Sequence, residues 1–248
     1  SIFDAEVLRN VYGYNFELKQ VDSAQDITDF NGSTIFINQQ NDICHANLTS
    51  NIDFTVNLHS DLGSVLLVNG AKNEAYISDI QHVRRRETIA MTPINCLAAL
   101  QDLINTTSSD YTSSTLQTDK AKVLETIKAI TGSPSKPLVG SSGLSIQYAI
   151  MMGLIHDALI NHKGKDIKFI VPPNCYGGTN DQARRVAACI DNVEVVDLPV
   201  DGDNDMVTSI DTVLNTIASQ DAVPYIIAEI PTNPRVEVPD LLQLKAAL

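Results

Sequence analysis

The sequence predicts an α/β protein in two parts: a β-rich N-terminal segment over residues 1–105, then a mostly parallel sheet flanked by helices over residues 106–248. Three observations predict it. The 248 residues are 44% hydrophobic and 19% charged, enough apolar material for a substantial core and a length suited to one large domain or two ordinary ones. In the second half, short apolar runs alternate with stretches of helical periodicity, the rhythm of strands joined by crossover helices. In the first, the apolar runs are short, β-rich and separated by Gly, Asn, Asp and Ser.

The elements follow in order. Ser33–Asn38, Phe54–Leu58, Ser64–Asn69 and Ala75–Ser78 read as strands of a small sheet. Gly70–Glu74 is placed to close an antiparallel hairpin between the last two, with register set by the alternation of apolar side chains. After Pro93, residues Leu97, Leu100, Leu103 and Ile104 recur at helical spacing. The polar stretch Asn105–Thr115 suits a linker or a loop over a site and marks a soft boundary. Beyond it the pattern predicts helices over 119–131 and 143–161, a strand over 167–171, a helix over 179–190 and a strand over 193–197. A helix over 206–218, a strand over 224–230 and a helix opening near Pro239 complete it. Strands alternating with helices predict a mostly parallel sheet covered on both faces.

Charge narrows the partners. Seventeen basic residues against thirty acidic ones give a formal charge of −13 and a pI near 4.6, a field that repels phosphodiester backbones and anionic lipid. No nucleic-acid or membrane partner is expected. The one basic run, Arg84-Arg85-Arg86, is followed at once by Glu87 and reads as a solvated face. The longest apolar-leaning segment, near Ala149–Ile160, is interrupted by Gly153, His156 and Asp157 and falls short of a membrane span. The first residues carry no signal-peptide pattern, so cytoplasm is the default compartment. Cys44, Cys96, Cys175 and Cys189 form no C-x-x-C pair and read as reduced thiols. The sequons at Asn31, Asn47 and Asn105 read as chance triplets, and no metal-ligand spacing stands out.

Three motifs in the second half carry chemistry. In Gly140-Ser-Ser-Gly-Leu-Ser-Ile-Gln, small residues precede a helix; Gly143 permits close backbone approach, and the first-turn N–H groups favour a phosphate. The same residues also suit a plain helix cap. In Pro172-Pro-Asn-Cys-Tyr-Gly-Gly-Thr, directly after a strand, Tyr176 stands where ligands gather in open α/β sheets and can stack on a planar cofactor. Gly177 and Gly178 would let the chain turn sharply, and Cys175 reads as a small buried residue. In Ile226-Ile-Ala-Glu-Ile-Pro-Thr-Asn-Pro, Pro231 and Pro234 bracket Asn233 and aim its amide above the sheet edge. Asp240 reads as a helix cap, Glu229 and Glu237 give no acid/base pair by spacing, and His156 and His162 read as ordinary helix residues.

Order and wording of these motifs resemble the Cys/Met-metabolism family of pyridoxal-phosphate enzymes, which includes cystathionine synthases and lyases and methionine γ-lyase. The resemblance covers residues 110–248, including Leu124-Glu-Thr-Ile-Lys-Ala-Ile-Thr-Gly before the phosphate turn. It implies the first part of a fold-type I large domain. It further implies that Ser142, Gly143 and Leu144 hold the cofactor phosphate, that Tyr176 stacks on the pyridine ring, and that Asn233 lies near the phenolic oxygen. Tyr111 would reach the phosphate of a neighbouring subunit; the arginine that follows in the family's Tyr-x-Arg segment is Ser113 here.

The function so implied is a pyridoxal 5'-phosphate-dependent carbon–sulfur lyase or γ-/β-replacement enzyme acting on a small sulfur amino acid or an activated homoserine. The alternatives are a catalytically silent homologue serving assembly or regulation, and an unrelated α/β phosphate-binding protein. The family's Schiff-base lysine and its pyridine-nitrogen aspartate are expected downstream of Leu248, with Lys245 no substitute. The chain is accordingly expected to be the N-terminal part of a longer one, completed by further residues or a second polypeptide, and to work as a homo-oligomer. The first hundred residues exceed the family's short N-terminal arm.

Overall fold

The computed structural model describes residues 4–21, 31–38, 51–59, 62–86, 90–104, 116–200 and 205–248. Its elements in chain order are α1 (Ala5–Asn10), β1 (Ile35–Asn38), β2 (Phe54–His59), β3 (Gly63–Val68), a 3-10 turn (Ala71–Asn73), α2 (Ala75–Arg86), α3 (Pro93–Leu103) and α4 (Leu116–Thr131). There follow α5 (Gly143–Asn161), β4 (Ile167–Val171), α6 (Gly177–Ala188), β5 (Val193–Asp197), α7 (Met206–Ser219), β6 (Val223–Ile226) and α8 (Leu241–Ala247). The fold is mixed α/β with one mixed and one all-parallel sheet. Two compact units carry it, Ser1–Phe16 with Gly140–Leu248, and Glu17–Val139. The boundary expected at residues 105–106 lies outside the described residues.

In the unit that contains residues 140–248, the sheet order is β5-β4-β6, all parallel. Ile-Lys-Phe-Ile-Val is buried along its whole length as β4, the continuous apolar run of a central strand covered on both faces. The chain leaves β4 through α6 to β5 on one side, then returns through α7 across β4 to β6 on the other. Crossovers of one hand then put α6 and α7 on opposite faces. The core divides accordingly. Ile167, Phe169 and Val171 pack with Met151, Ile155 and Ala158 of α5 and Ala183 and Val186 of α6. Ile170, one residue out of phase, packs with Leu198, with Met206, Ile210 and Ile217 of α7, and with Leu244 of α8. Lys168 shares the phase of Ile170 and is buried, its Nζ 2.5 Å from Glu194 Oε1 on β5.

The strand expected over 224–230 is shorter, and Pro224 explains part of it: it donates no ladder hydrogen bond and is tolerated because β6 is an edge. Tyr225 turns inward, its ring 5.6 Å from that of Phe169 and its hydroxyl donating to Leu154 O. Helix α5 is apolar and long enough to cross a membrane by length and composition, contrary to the sequence expectation, which counted only its central residues. Its inward face is core.

The unit spanning residues 17–139 holds the sheet β1-β2-β3, with β1 parallel and β3 antiparallel to β2. Two expectations are corrected. Ala75–Ser78 is the first turn of α2 and not a strand, because Ile77, Ile80 and Val83 continue at helical spacing. Gly70–Glu74 therefore closes no hairpin; β2 and β3 form it, pairing Phe54 with Val68 through His59 with Gly63. The 3-10 turn is held instead by Asn73, whose Nδ2 donates to Asp53 Oδ1 at 2.8 Å and to Asn69 O at 2.7 Å. Asp53 also accepts from Thr34 N and pairs with Lys72 Nζ at 2.7 Å. Asp53, Thr55 and Asn57 are buried, so the polar row of β2 lies inward.

Two predictions follow from these contacts. Phe169→Ala removes the largest buried ring of the parallel-sheet unit and is expected to lower stability by about 3–5 kcal/mol in urea unfolding. The Lys72 ammonium, then the Asn73 amide and the Thr34 N–H, hold the Asp53 carboxyl down to about 2 from an ordinary 3.8. A depressed carboxylate stabilises fully above its unfolded value. Its contribution is expected to fall away as pH drops from about 4 through about 2, and Asp53→Asn is expected to flatten that limb of the stability–pH curve.

Candidate functional site

Three segments meet at the carboxyl edge of the parallel sheet: the first turn of α5, the β4–α6 loop at 172–176, and the chain leaving β6 at 227–240. In an open α/β sheet this is where ligands bind, at the point where successive connections leave in opposite directions. Here the connection after β4 goes to the α6 face and the chain after β6 goes to the face of α7 and α8.

Ser142 is the N-cap of α5 and forms a reciprocal capping box. Its Oγ accepts from Ser145 N at 3.1 Å, and Ser145 Oγ accepts from Ser142 N at 2.9 Å. The N–H groups of Gly143 and Leu144, in the first turn, have no acceptor among the described residues. The close approach expected at Gly143 belongs to Gly140, where a Cβ would stand 2.9 Å from Ser145 Oγ and 3.1 Å from Ile146 N. At Gly143 a Cβ would meet nothing within 4 Å. The cap and the anion-binding readings of this motif are thus compatible: the capping box uses Ser142, and the N–H groups of Gly143 and Leu144 are left without an acceptor among the described residues.

The start of α6 is arranged differently. Tyr176 is its N-cap residue and offers no side-chain cap. Glu229, from just beyond β6, supplies the acceptor: its Oε2 takes Tyr176 N at 2.8 Å and its Oε1 takes Thr179 Oγ at 2.6 Å. A carboxylate at a helix N-terminus is favourable both as acceptor and through the helix dipole. Thr179 Oγ also lies 3.2 Å from the Gln147 amide of α5. The single Thr179 hydrogen thus has two oxygen acceptors, Glu229 Oε1 at 2.6 Å and Gln147 Oε1 at 3.2 Å, of which the Glu229 carboxylate is the nearer. Gln182, fully buried, donates from Nε2 to Leu144 O at 3.0 Å. These bonds join the first two turns of α5 to those of α6.

Tyr176 is 45% exposed, and its ring lies over Gly178, where a Cβ would stand 2.4 Å from Cε1. Neither Gly177 nor Gly178 has a left-handed backbone. Gly178 is therefore required by the ring above it and not, as the sequence suggested, by a sharp turn. Beside it, Cys175 is buried, and burial followed by the charge of Glu229 pushes its thiol above the ordinary value. It is an inert packing residue.

The loop after β6 is closed on itself. Thr232 N donates to Glu237 O at 3.0 Å, Val236 N to Thr232 O at 2.9 Å and Glu237 N to Thr232 Oγ at 3.0 Å. Val236 is held at φ +58, a left-handed conformation that costs a β-branched residue about 1–3 kcal/mol. Asn174 Nδ2 donates to Glu237 Oε2 at 3.0 Å and ties this loop to the one before α6. Asp240 caps α8 by accepting from Leu242 N and Gln243 N.

Of the residues singled out by sequence, the fold thus brings together Ser142, Gly143, Leu144 and Tyr176. Asn233 is exposed on the turn after Thr232, and no hydrogen bond ties its amide to that group. Tyr111 and Ser113 lie outside the described residues. His156 stacks on Tyr12 with centroids 6.1 Å apart, and His162 ends α5. Sequence reasoning missed Glu229, Thr179, Gln147 and Gln182. Thr179 and Glu229 sit inside the quoted motifs, but a pairing across fifty residues leaves no local signal. Comparison with protein-family models, curated proteins and solved structures finds no match to this chain.

The geometry generates two expectations. Gly178→Ala is expected to turn the Tyr176 ring out of its seat while leaving stability equal or higher, because alanine suits a helix better than glycine. Tetranitromethane nitration of Tyr176, read by peptide mass, would rise. Iodoacetamide is expected to label Cys175 on the order of tenfold more slowly than exposed Cys96 and Cys189, measured by peptide mapping of the native chain.

Proposed function

We propose that this edge is a pyridoxal 5'-phosphate bed of the Cys/Met-metabolism type, in a carbon–sulfur lyase or γ-/β-replacement enzyme acting on a small sulfur amino acid. The observation that carries the reading is a difference between two neighbouring helix starts. The α6 start is occupied by the Glu229 carboxylate. The α5 start, joined to it, leaves the Gly143 and Leu144 N–H groups without an acceptor among the described residues, which suits one dianionic group. A half-exposed tyrosine ring stands one residue before the linked helix, the partner a planar pyridine needs.

The residues fit the group. Gly143 N–H, Leu144 N–H and the Ser142 hydroxyl, which can donate while its oxygen accepts from Ser145, would hold the phosphate, and Tyr176 would cover the ring. Asn233 belongs to this bed by resemblance alone. Pyridoxal phosphate, when bound, supplies an electron sink for charge developing at an amino-acid carbon. Lys168 is buried against Glu194 and Lys245 is exposed on α8, so neither serves as the reacting lysine. That lysine and the pyridine aspartate would come from residues beyond these 248 or from a second polypeptide. The burial of Lys168 against Glu194 favours, as the second reading, a silent homologue that keeps the bed.

Gly143→Asp separates binding from folding. An aspartate at the first helical position fits the open space and favours the helix dipole, so thermal stability is expected to hold or rise. Pyridoxal 5'-phosphate binding, followed by equilibrium dialysis, is expected to disappear. If the unsubstituted chain retains no pyridoxal 5'-phosphate, the reading is wrong. If inorganic phosphate binds as tightly as the cofactor, the chain is a phosphate binder with no ring site.

A further inference from the structure

We infer that Glu229 is the positioning residue for the Tyr176 ring, fixing the loop that carries the ring to the helix whose start takes the phosphate. The inference rests on the reading of the site as a pyridoxal-phosphate bed, and adds to it a residue that touches no part of the cofactor. Tyr176 has no side-chain cap of its own, so without Glu229 its N–H would lose its acceptor and the Thr179 hydroxyl would keep only the longer contact to the Gln147 oxygen, 3.2 Å away. Glu229 takes the first at 2.8 Å and the second at 2.6 Å, one oxygen for each. Thr179 is buried and carries the link onward to Gln147 on α5, four residues after Gly143. Gln182, on the same helix as Thr179, holds Leu144 O on the far side of the phosphate turn. The ring seat and the anion seat are therefore set at one separation by a single carboxylate and the threonine it grips.

Hydrogen bonding, and not charge alone, is what this pin requires. A glutamine at 229 can accept Tyr176 N through its oxygen and donate to Thr179 Oγ through its nitrogen, with the Thr179 hydrogen turning to the Gln147 oxygen. An alanine can do neither. Valine at 179 keeps the volume and removes the hydroxyl; serine keeps the hydroxyl.

The test uses the 248-residue chain, with hydrogen–deuterium exchange at the Tyr176 amide and dialysis against pyridoxal 5'-phosphate and inorganic phosphate separately. Glu229→Ala and Thr179→Val are expected to weaken pyridoxal 5'-phosphate about tenfold, the size of a lost aromatic stack. Inorganic phosphate, which needs only the α5 end, is expected to stay within about twofold. Glu229→Ala is expected to speed Tyr176 amide exchange, and Glu229→Gln and Thr179→Ser to behave as the parent. Unchanged Tyr176 exchange in Glu229→Ala, or equal loss of both ligands, would overturn the pin. Should Glu229→Ala fail to fold, the Thr179→Val and Thr179→Ser pair decides it by the two affinities. A parent chain that binds neither phosphate compound removes the functional reading alone, since the exchange comparison still reports on the pin.

Discussion

Burial of β4 on both faces is the constraint on which the parallel-sheet unit depends. Its five residues leave no side chain for solvent, so each face must be covered, and the alternation of side chains sends Phe169 one way and Ile170 the other. That requirement draws α5 and α6 to one face and α7 and α8 to the other. The divergence of the chain at the sheet's carboxyl edge follows directly, because the connections after β4 and β6 leave toward opposite layers.

At that edge the two helix starts are chemically unequal, although both are built from Gly-rich turns. One is filled from inside the protein by an acidic side chain, and the other keeps its donors free. A second anion beside the Glu229 carboxylate would meet like-charge repulsion on top of a lack of donors. The Thr179 hydroxyl, the Gln147 amide and the Gln182 amide add rigidity at little conformational freedom, since Thr179 and Gln182 are buried and held by packing.

The other unit shows the reverse economy of polarity. Its central strand turns Thr55 and Asn57 inward, in phase with the buried Asp53 that precedes it, while Phe54, Val56 and Leu58 are only half-buried. Asp53 tolerates burial because Thr34, Lys72 and Asn73 satisfy its oxygens. A fully partnered buried carboxylate fixes the 3-10 turn before α2, and hence where that helix begins.

The sequence by itself determined most elements of the second half. The helix over 143–161 and the strands over 167–171 and 193–197 lie where periodicity and turn residues placed them, because those signals act within a few residues of one another. The placing of Ser142, Gly143, Leu144 and Tyr176 at helix starts was legible for the same reason: each belongs to a short motif at the end of an element. Tertiary structure decided everything that depends on partners distant along the chain. Ala75–Ser78 reads locally as β and becomes a helix, since the residues beyond it continue an apolar stripe and Asn73 binds Asp53 across the sheet. Glu229 shows no spacing that marks it, and it acquires its role only when β6 is laid beside β4 and brings its carboxylate to Tyr176 and Thr179. Pairing strands across more than fifty residues is a property of the packed sheet, and no local pattern encodes it.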